Sequence, residues 1–195
     1  MTQAELTILV IDENAVRASI IEEGLREAGY RRVTVINEVL GMARIIESQQ
    51  PDAIIIDIEN PEHDTMEHLF QLTRTVSRPI AMFVDRSDTA SIETAVEAGI
   101  SAYIVDGLRK ERVKPILDMA VSRFNAVSRL QRELAEARSA LQERKVIERA
   151  KGILMKMRGI SEEEAFVLLR QSAMNEKKKM SDIARSVVTA AGLLL

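Results

Sequence analysis

The sequence predicts an α/β fold in which a five-stranded, doubly wound parallel sheet is followed by a long linking helix and a small all-α unit of three helices. Three observations support this prediction. Short runs rich in Ile and Val alternate with helical patterns over the first 120 residues. No Pro follows Pro115 and no Gly occurs between it and Gly152, so one long helix can form there. Two further amphipathic patterns follow Gly159.

Five strand candidates share a short length and an apolar content too continuous for a sheet with one wetted face. They are Leu6–Ile11, Val33–Ile36, Ala53–Ile56, Ile80–Val84 and Ala102–Val105. Four helical stretches lie between them, at Ala15–Ala28, Val39–Gln49, Thr65–Val76 and Thr89–Ala98. Gly29 and Gly99 stand where helix C-terminal caps are expected. Repeats of strand and helix predict parallel strands joined by right-handed crossovers.

The fifth helix is expected to begin near Arg112, because Pro115 is tolerated in a first helical turn and not in an interior. Residues 113–157 can then form one long helix or two nearly continuous ones. An apolar stripe with the spacing of a coiled-coil seam crosses this stretch. It consists of Val127, Leu130, Leu134, Ala137 and Leu141. Two interpretations stay open: the stripe packs on its own domain, or residues 121–143 are a coiled-coil linker in a homodimer.

The stretch Arg144–Gly159 predicts a helix with one apolar and one cationic side. Glu148 is its only acid. Its apolar residues are Val146, Ile147, Ala150, Ile153, Leu154 and Met157. Its cationic face combines Lys145, Arg149, Gly152 and Lys156. The cationic face is either a solvated surface or a binding surface for a polyanion.

Two shorter helices are predicted to complete this unit. Ser161 and Glu164 form a capping box at the start of the first of them. Its inward residues are expected to be Ala165, Phe166, Leu168, Leu169 and Ala173. A basic turn at residues 177–179 follows, and Ser181 is expected to cap the last helix. The apolar face of that helix would be Ile183, Ala184, Val187, Val188 and Ala191.

The charge of the chain is unevenly distributed. The net charge of −3 combines −9 over residues 1–120 with +6 over residues 121–195. The basic part is therefore the one expected to meet a polyanion. The absence of cysteine excludes disulfides and thiolate metal sites. No apolar run has the ~20 residues of a membrane span and no secretion signal is seen, so we expect a cytoplasmic protein without a membrane partner.

Three acids directly follow predicted strands. Asp12 and Glu13 come after the first strand, and Asp57 comes after the third. Ligands of open parallel sheets bind at this edge, and clustered carboxylates there suit Mg²⁺. An Asp beside Mg²⁺ can attack a phosphoryl donor. The alternative is that these acids are ordinary loop residues.

The segments ILVIDEN, IIIDIENP, RPIAMFV and SAYIV resemble the receiver domain of two-component response regulators over residues 6–120. The resemblance implies Asp57 as phosphoacceptor and Asp12 and Glu13 as further Mg²⁺ ligands. Two positions depart from the family pattern. Val84 stands where Ser or Thr is usual, and Asp106 stands where Lys is usual. We therefore expect phosphorylation of Asp57 to be weak or not to drive the output.

The last third of the chain, residues 130–191, resembles the ANTAR domain of RNA-binding transcription antiterminators. The matching residues are Ala150-Lys151-Gly152, Leu154-Met155, Ser161 to Ala165, Leu169-Arg170, Ala173 and Asp182-Ile183-Ala184. Together the two domains are most similar to the NasT-type regulators of nitrate and nitrite assimilation. The resemblance implies a non-enzymatic protein that binds hairpins in leader mRNA and prevents the terminator from forming. It also implies control by a nitrate- or nitrite-sensing partner of the NasS type and a dimeric active form.

RNA stems hide their base edges, so cations are expected at phosphates and a few polar groups at the loops. The expected phosphate contacts are Arg144, Lys145, Arg149, Lys151, Lys156, Lys177, Lys178 and Lys179. The expected base or sugar contacts are Arg170, Gln171, Asn175 and Ser181. Gly152 permits either close approach of RNA or a tight helix crossing. Stacking of bases is not expected to dominate, because Phe166 is assigned to the core face.

Two other functions fit the same segments less well. A phosphorylation-switched regulator that still binds RNA would keep Asp57 in use, but Val84 and Asp106 argue against it. A DNA-binding response regulator would need a helix-turn-helix, and no recognition helix with its short glycine-containing turn is evident.

Overall fold

The computed structural model describes residues 5–37, 42–59, 63–105 and 107–194. Five strands alternate with helices in the first part of the chain. The strands are β1 (Thr7–Asp12), β2 (Arg32–Ile36), β3 (Ala53–Ile58), β4 (Ile80–Val84) and β5 (Ala102–Val105). The helices are α1 (Ala15–Glu27), α2 (Met42–Gln49), α3 (His63–Thr73), α4 (Thr89–Glu97), α5 (Lys110–Arg158), α6 (Glu162–Glu176) and α7 (Met180–Leu194). The chain divides into two compact units, Met1–Ser128 and Arg129–Leu195.

The five strands form one parallel sheet in the order β2-β1-β3-β4-β5, which confirms the predicted fold class. The order reverses between β1 and β3, because the chain moves outward to β2 and then returns past β1. Asp12 at the end of β1 lies in register with Asp57 near the end of β3. The reversal therefore opens a crevice at the carboxyl ends of these two strands.

Each face of the sheet has its own apolar core. Side chains alternate along β1, so Ile8 and Val10 enter one core and Leu9 and Ile11 enter the other. Helices α1 and α5 cover the first core, and α2, α3 and α4 cover the second. The continuous Ile and Val runs thus reflect burial on both faces.

The strand predictions agree with the structure to within two residues at each end. Gly29 and Gly99 have φ values of +94° and +87° and follow α1 and α4, as the cap prediction requires. After Gly29, the amide of Tyr30 donates to Leu25 O at 3.0 Å and closes the helix end. The predicted start of the second helix, residues 39–41, lies outside the described residues.

Helix α5 is continuous over 49 residues, which settles the choice between one helix and two. It begins at Lys110 rather than near Arg112, so Pro115 lies inside the second turn and not in the first. The expectation of a first-turn proline is therefore wrong. The amide that Pro115 lacks would have bonded to the carbonyl of Glu111, and the helix forgoes one hydrogen bond there.

The apolar stripe of α5 is exposed. Val127, Leu130, Leu134 and Leu141 are between 45% and 61% accessible, and Ala137 is exposed as well. The interpretation that the stripe packs on its own domain is thus wrong. The coiled-coil interpretation remains a prediction.

The second unit is built by the last turns of α5 together with α6 and α7. Its core consists of Ala150, Leu169, Ala173, Ile183 and Ala184. The capping box at the start of α6 is present: Ser161 N donates to Glu164 Oε2 at 2.8 Å, and Glu164 N donates to Ser161 Oγ at 3.2 Å. Gly159, with φ +66°, ends α5 as predicted.

Three expectations for this unit need correction. Helix α7 begins at Met180, so Ser181 lies in its first turn and is not its N-cap. Phe166 is 40% exposed, because Ala165 already faces inward and the next residue is rotated by about 100° around the helix. Met157 is 63% exposed and does not join the apolar face. None of the described helices is long and apolar enough to cross a membrane.

Candidate functional site

The crevice between β1 and β3 is an acidic pocket. Asp12 and Asp57 lie at its base with exposures of 3% and 2%. Glu13, Asn14 and Glu59 are the other polar residues of its lining. The sheet register places the two aspartates side by side, as the strand-end positions in the sequence predict.

Arg17 lies across the pocket and binds Asp57 with two hydrogen bonds. Its Nε donates to Asp57 Oδ2 at 2.8 Å, and its Nη2 donates to Asp57 Oδ1 at 2.6 Å. Its Nη1 also donates to Asp85 Oδ1 at 3.0 Å. A paired guanidinium and carboxylate in this arrangement make strong, directional hydrogen bonds. The pocket therefore already contains a cation.

The local sequence explains how Arg17 reaches the pocket. Asn14 caps α1, and its Oδ1 accepts the amide of Val16 at 3.0 Å. Arg17 consequently stands in the first turn of α1, beside the ends of β1 and β3. A cation at a helix N-terminus is disfavoured by the helix dipole by about 0.3–1 kcal/mol, so the carboxylates must hold it there.

Burial dominates the protonation of the two aspartates. It raises the pKa of Asp12 to about 6, although the amide of Asn14 donates to Asp12 Oδ1 at 2.8 Å and opposes the rise. The buried Asp12 Oδ2 accepts no hydrogen bond from any described residue, and a proton on it can be donated to Asp57. Burial raises the pKa of Asp57 as well, against the two hydrogen bonds from Arg17. Those bonds raise the pKa of Arg17, which stays charged.

The predicted Mg²⁺ ligands do not form a metal site in this arrangement. Both oxygens of Asp57 accept from Arg17, and Glu13 is exposed. Within the described ranges, no group of three or more His, Cys, Asp or Glu side chains could hold a metal ion. The set Asp12, Glu13 and Asp57 stays a prediction, and in this arrangement a guanidinium takes both carboxylate oxygens of Asp57.

The structure describes one of the two positions that depart from the receiver pattern. Val84 ends β4, is fully buried and belongs to the second sheet core, so no hydroxyl faces the pocket from this position. Asp106 lies outside the described residues.

Arg17 and Asp85, which are linked to Asp57 by hydrogen bonds through the Arg17 guanidinium, were not expected from the sequence. Asp85 directly follows β4, so the rule that selected the other strand-end acids could also have selected it. Arg17 is the only basic residue between Asp12 and Arg26. That isolation is a weak signal, because only the folded structure brings residues 17 and 57 together.

The second unit carries a set of accessible cations. No salt bridge to another described residue engages the exposed side chains of Arg144, Lys145, Arg149, Lys156, Arg170 and Lys177. Lys178 pairs with Glu176 at 2.8 Å, and Lys179 lies 3.6 Å from Glu143. Gln171 and Asn175 are exposed. These residues are placed where a polyanion could reach them.

Lys151 differs from the other predicted phosphate contacts. Its residue exposure is 8%, and its Nζ lies 2.8 Å from Glu148 Oε1 and 2.7 Å from Glu162 Oε1. The second pair links α5 to the start of α6. A phosphate would have to displace both carboxylates, so Lys151 is less available than the unpaired cations, and its contact with RNA stays a prediction.

The surroundings of Ser181 and Gly152 bear on their predicted contacts with RNA. Ser181 is 3% exposed, and its Oγ has no hydrogen-bond partner in the described part of the chain, so it cannot read a base from this position. A Cβ added at Gly152 would meet nothing within 4 Å. A tight crossing of Gly152 by another described helix is therefore not seen, and close approach of RNA stays a prediction.

Phe166 is available to a ligand, contrary to the expectation from the sequence. Together with Val167 it borders a shallow cleft whose other residues are Lys151, Glu162 and Glu163. An exposed aromatic ring can stack on a nucleobase. Stacking is therefore physically possible on this unit.

Residues 8–118 match the family model of the response regulator receiver domain, and residues 135–188 match the ANTAR domain. The chain is 29% identical over 185 residues to the transcriptional regulatory protein PdtaR of Mycobacterium tuberculosis H37Rv. This match covers 95% of this chain and 90% of that protein. It is 38% identical over 80 residues to the nitrate regulatory protein of Klebsiella oxytoca. That match covers 41% of this chain and only 20% of the Klebsiella protein.

Solved structures resemble the sheet-containing part. The receiver domain of a modulated diguanylate cyclase from Desulfovibrio desulfuricans G20 has a TM-score of 0.52 at 17% identity, covering 62% of this chain and 97% of that domain. An orphan response regulator of H. pylori has a TM-score of 0.51 at 17% identity and covers 63% of this chain and 99% of its own. At these identities the likeness concerns the fold alone.

Proposed function

Because the chain belongs to the response regulator receiver family and carries an ANTAR domain in its second unit, we propose that it is an RNA-binding transcription antiterminator. It would bind hairpins in leader mRNA and so prevent the terminator from forming. The observation that supports this best is the cationic face of Lys145, Arg149 and Lys156, which is exposed, free of salt bridges to described residues and bare at Gly152.

The chemistry of this face suits an RNA backbone. One face of α5 presents the three cations at helical spacing, and each can neutralise one phosphate and release a counterion. Phosphate contacts position a protein on RNA and do not read its sequence. Specificity would come from splayed loop bases, for which Arg170, Gln171 and Asn175 are exposed polar partners and Phe166 is a stacking surface.

The salt dependence of RNA binding tests this assignment. We expect Arg149→Ala in the full chain to weaken binding to a fluorescently labelled leader hairpin and to reduce the slope of log affinity against log salt by roughly 1. Arg185→Ala serves as the matched control, because this exposed cation of the same unit is already paired with Asp182. Equal slopes for wild type and Arg149→Ala would contradict the assignment. Preference for duplex DNA over the hairpin would favour the DNA-binding alternative.

We further propose that the regulated genes serve nitrate or nitrite assimilation and that a cytoplasmic sensor protein of the NasS type controls the chain. Similarity over 41% of the chain to a nitrate regulatory protein supports the first statement. The occupied acidic pocket supports the second, because it favours a protein signal over a phosphoryl signal. Anisotropy of the RNA complex with the sensor, with and without nitrate, tests the second statement: the sensor should release RNA and nitrate should restore binding.

A phosphorylation-switched regulator remains the second candidate, because Asp57 is retained at the end of β3 and lies in register with Asp12. It predicts that acetyl phosphate raises RNA affinity in the wild type and not in Asp57→Asn. The proposal above predicts the same RNA affinity for the wild type and for Asp57→Asn, each with and without acetyl phosphate.

A further inference from the structure

Receiver domains typically hold Mg²⁺ in the acidic pocket at this edge of the sheet. In this chain the same oxygens are bound by a side chain. We infer that Arg17 is the resident cation of the pocket: its guanidinium takes the place of the divalent ion and keeps Asp57 from accepting a phosphoryl group. This inference concerns the first unit and goes beyond RNA binding, so either can fail without the other.

Arg17 engages both carboxylate oxygens of Asp57. Its two carboxylate oxygens accept hydrogen bonds from Nε and Nη2 of Arg17 at 2.8 Å and 2.6 Å. Phosphoryl transfer needs one of these oxygens as nucleophile and another lone pair on the metal. A bidentate guanidinium occupies both positions at once. Asp57 is thus retained as a carboxylate but engaged as an acceptor.

Arg17 is also anchored independently of Asp57. Its Nη1 donates to Asp85 Oδ1 at 3.0 Å and lies 3.8 Å from Glu59 Oε1. The side chain is 16% exposed. Several carboxylates therefore hold one guanidinium in place, and a metal that displaced it from Asp57 would still face its charge nearby.

The end of β4 offers nothing that could bind a phosphoryl group through position 84. Val84 is buried and apolar at the end of β4, so it offers no hydroxyl to a phosphoryl oxygen. The structure provides a cation for the resting carboxylates and no group at position 84 that would respond to phosphate.

Mn²⁺ binding by the full-length protein tests the inference directly. The signal of free Mn²⁺ in electron paramagnetic resonance falls as the ion binds. We expect wild type to bind at least about tenfold more weakly than Arg17→Ala. Arg26→Ala is the matched control, because Arg26 lies on the same helix and pairs only with Glu22 among the described residues. It should behave like the wild type.

Labelling with acetyl phosphate gives a second readout. Asp57 Oδ attacks phosphorus, the new P–O bond forms, and the bond to acetate breaks, so acetate leaves with its electron pair. We expect no labelling of wild type in Mg²⁺, labelling of Arg17→Ala, and none of Arg17→Ala with Asp57→Asn. A wild type that binds Mn²⁺ as tightly as Arg17→Ala, or that labels on Asp57, would overturn the inference.

The removal of Arg17 leaves Asp12 and Asp57 without their cation, and the variant can lose its fold in metal-free buffer. In that case thermal unfolding is measured for wild type and Arg17→Ala across a Mn²⁺ series. The inference expects metal to raise the melting temperature of the variant and to leave that of the wild type unchanged. If metal stabilises the wild type, or fails to stabilise the variant, the inference is wrong.

Discussion

Replacing Gly152 by Ala separates a structural role for this glycine from a role in RNA binding. Gly152 lies inside helix α5, where glycine is less favourable than alanine by about 1 kcal/mol. The added methyl group would meet no atom within 4 Å. The substitution is therefore expected to stabilise the free protein. If RNA approaches the helix here, the same methyl group stands in its way.

The expected change in stability comes from the better helix propensity of alanine, and the expected change in RNA affinity comes from the methyl group in the path of the RNA. The second unit, Arg129–Leu195, is small, and an unfolding slope near 1 kcal/mol/M in urea is reasonable for it. A gain of ~1 kcal/mol then moves its urea midpoint up by ~1 M. Loss of one charge-assisted contact to RNA corresponds to about 1.5–3 kcal/mol, or at least about tenfold in affinity.

Two measurements on the wild type and Gly152→Ala distinguish the structural role from the role in RNA binding. Far-UV circular dichroism in urea reports stability, and anisotropy of a labelled leader hairpin reports affinity. Gly192→Ala is the matched control: Gly192 is an exposed helical glycine of α7, and a Cβ there also meets nothing within 4 Å. It should raise stability slightly and leave RNA affinity unchanged.

The two possible contradictions for Gly152→Ala have different meanings. A lower urea midpoint would show that the space around residue 152 is not open. A higher midpoint with unchanged RNA affinity would show that RNA does not approach the helix at Gly152, and the proposed binding face would have to move.

Two further predictions concern pH and assembly. Burial raises the pKa of Asp12 from 3.8 to about 6. Between these pH values the folded chain keeps a proton on Asp12 that the unfolded chain releases. The free energy of unfolding should therefore fall by about 3 kcal/mol as pH rises through this window. Asp12→Asn should reduce that fall in urea unfolding measured on both sides of the window, leaving the part that the raised pKa of Asp57 contributes, and an unchanged pH profile would contradict the assignment. If the exposed stripe of α5 is a dimer seam, Leu130→Glu with Leu134→Glu should halve the mass seen by light scattering, whereas Met119→Glu, exposed elsewhere on α5, should not. A wild-type monomer, or a dimer that survives the double substitution, would refute the seam.

The sheet and its edge were predictable because each rests on short-range sequence signals. A run such as IIIDI can be buried over its whole length only in a sheet covered on both faces, and that fixes the architecture around β3. Gly29 and Gly99 then mark where helices end, since both need a positive φ. Strand ends and the point of reversal follow, and they bring Asp12 and Asp57 together.

The errors arise where a side chain's partner is distant in sequence. Helical periodicity assigns Lys151 to the basic stretch, but Glu162, which pairs with its amine, belongs to the next helix. Periodicity also leaves the inward face of α6 uncertain by one position, so Phe166 was assigned inward although Ala165 occupies the core. Arg17 was missed for the same reason, since its acceptor Asp57 lies 40 residues away.

The pairing of cations, more than their number, determines what each unit can bind. The net charge of +6 in the last part of the chain counts Lys151 and Arg149 equally. A phosphate gains little from Lys151, because its amine would exchange two carboxylates for one phosphate. Arg149 has no described carboxylate to give up, so its full attraction is available. The same reasoning applied to Arg17 explains how an acidic pocket can keep its aspartates and still be closed to a metal ion. In both units, the salt bridges of the folded chain select which charges remain for a ligand.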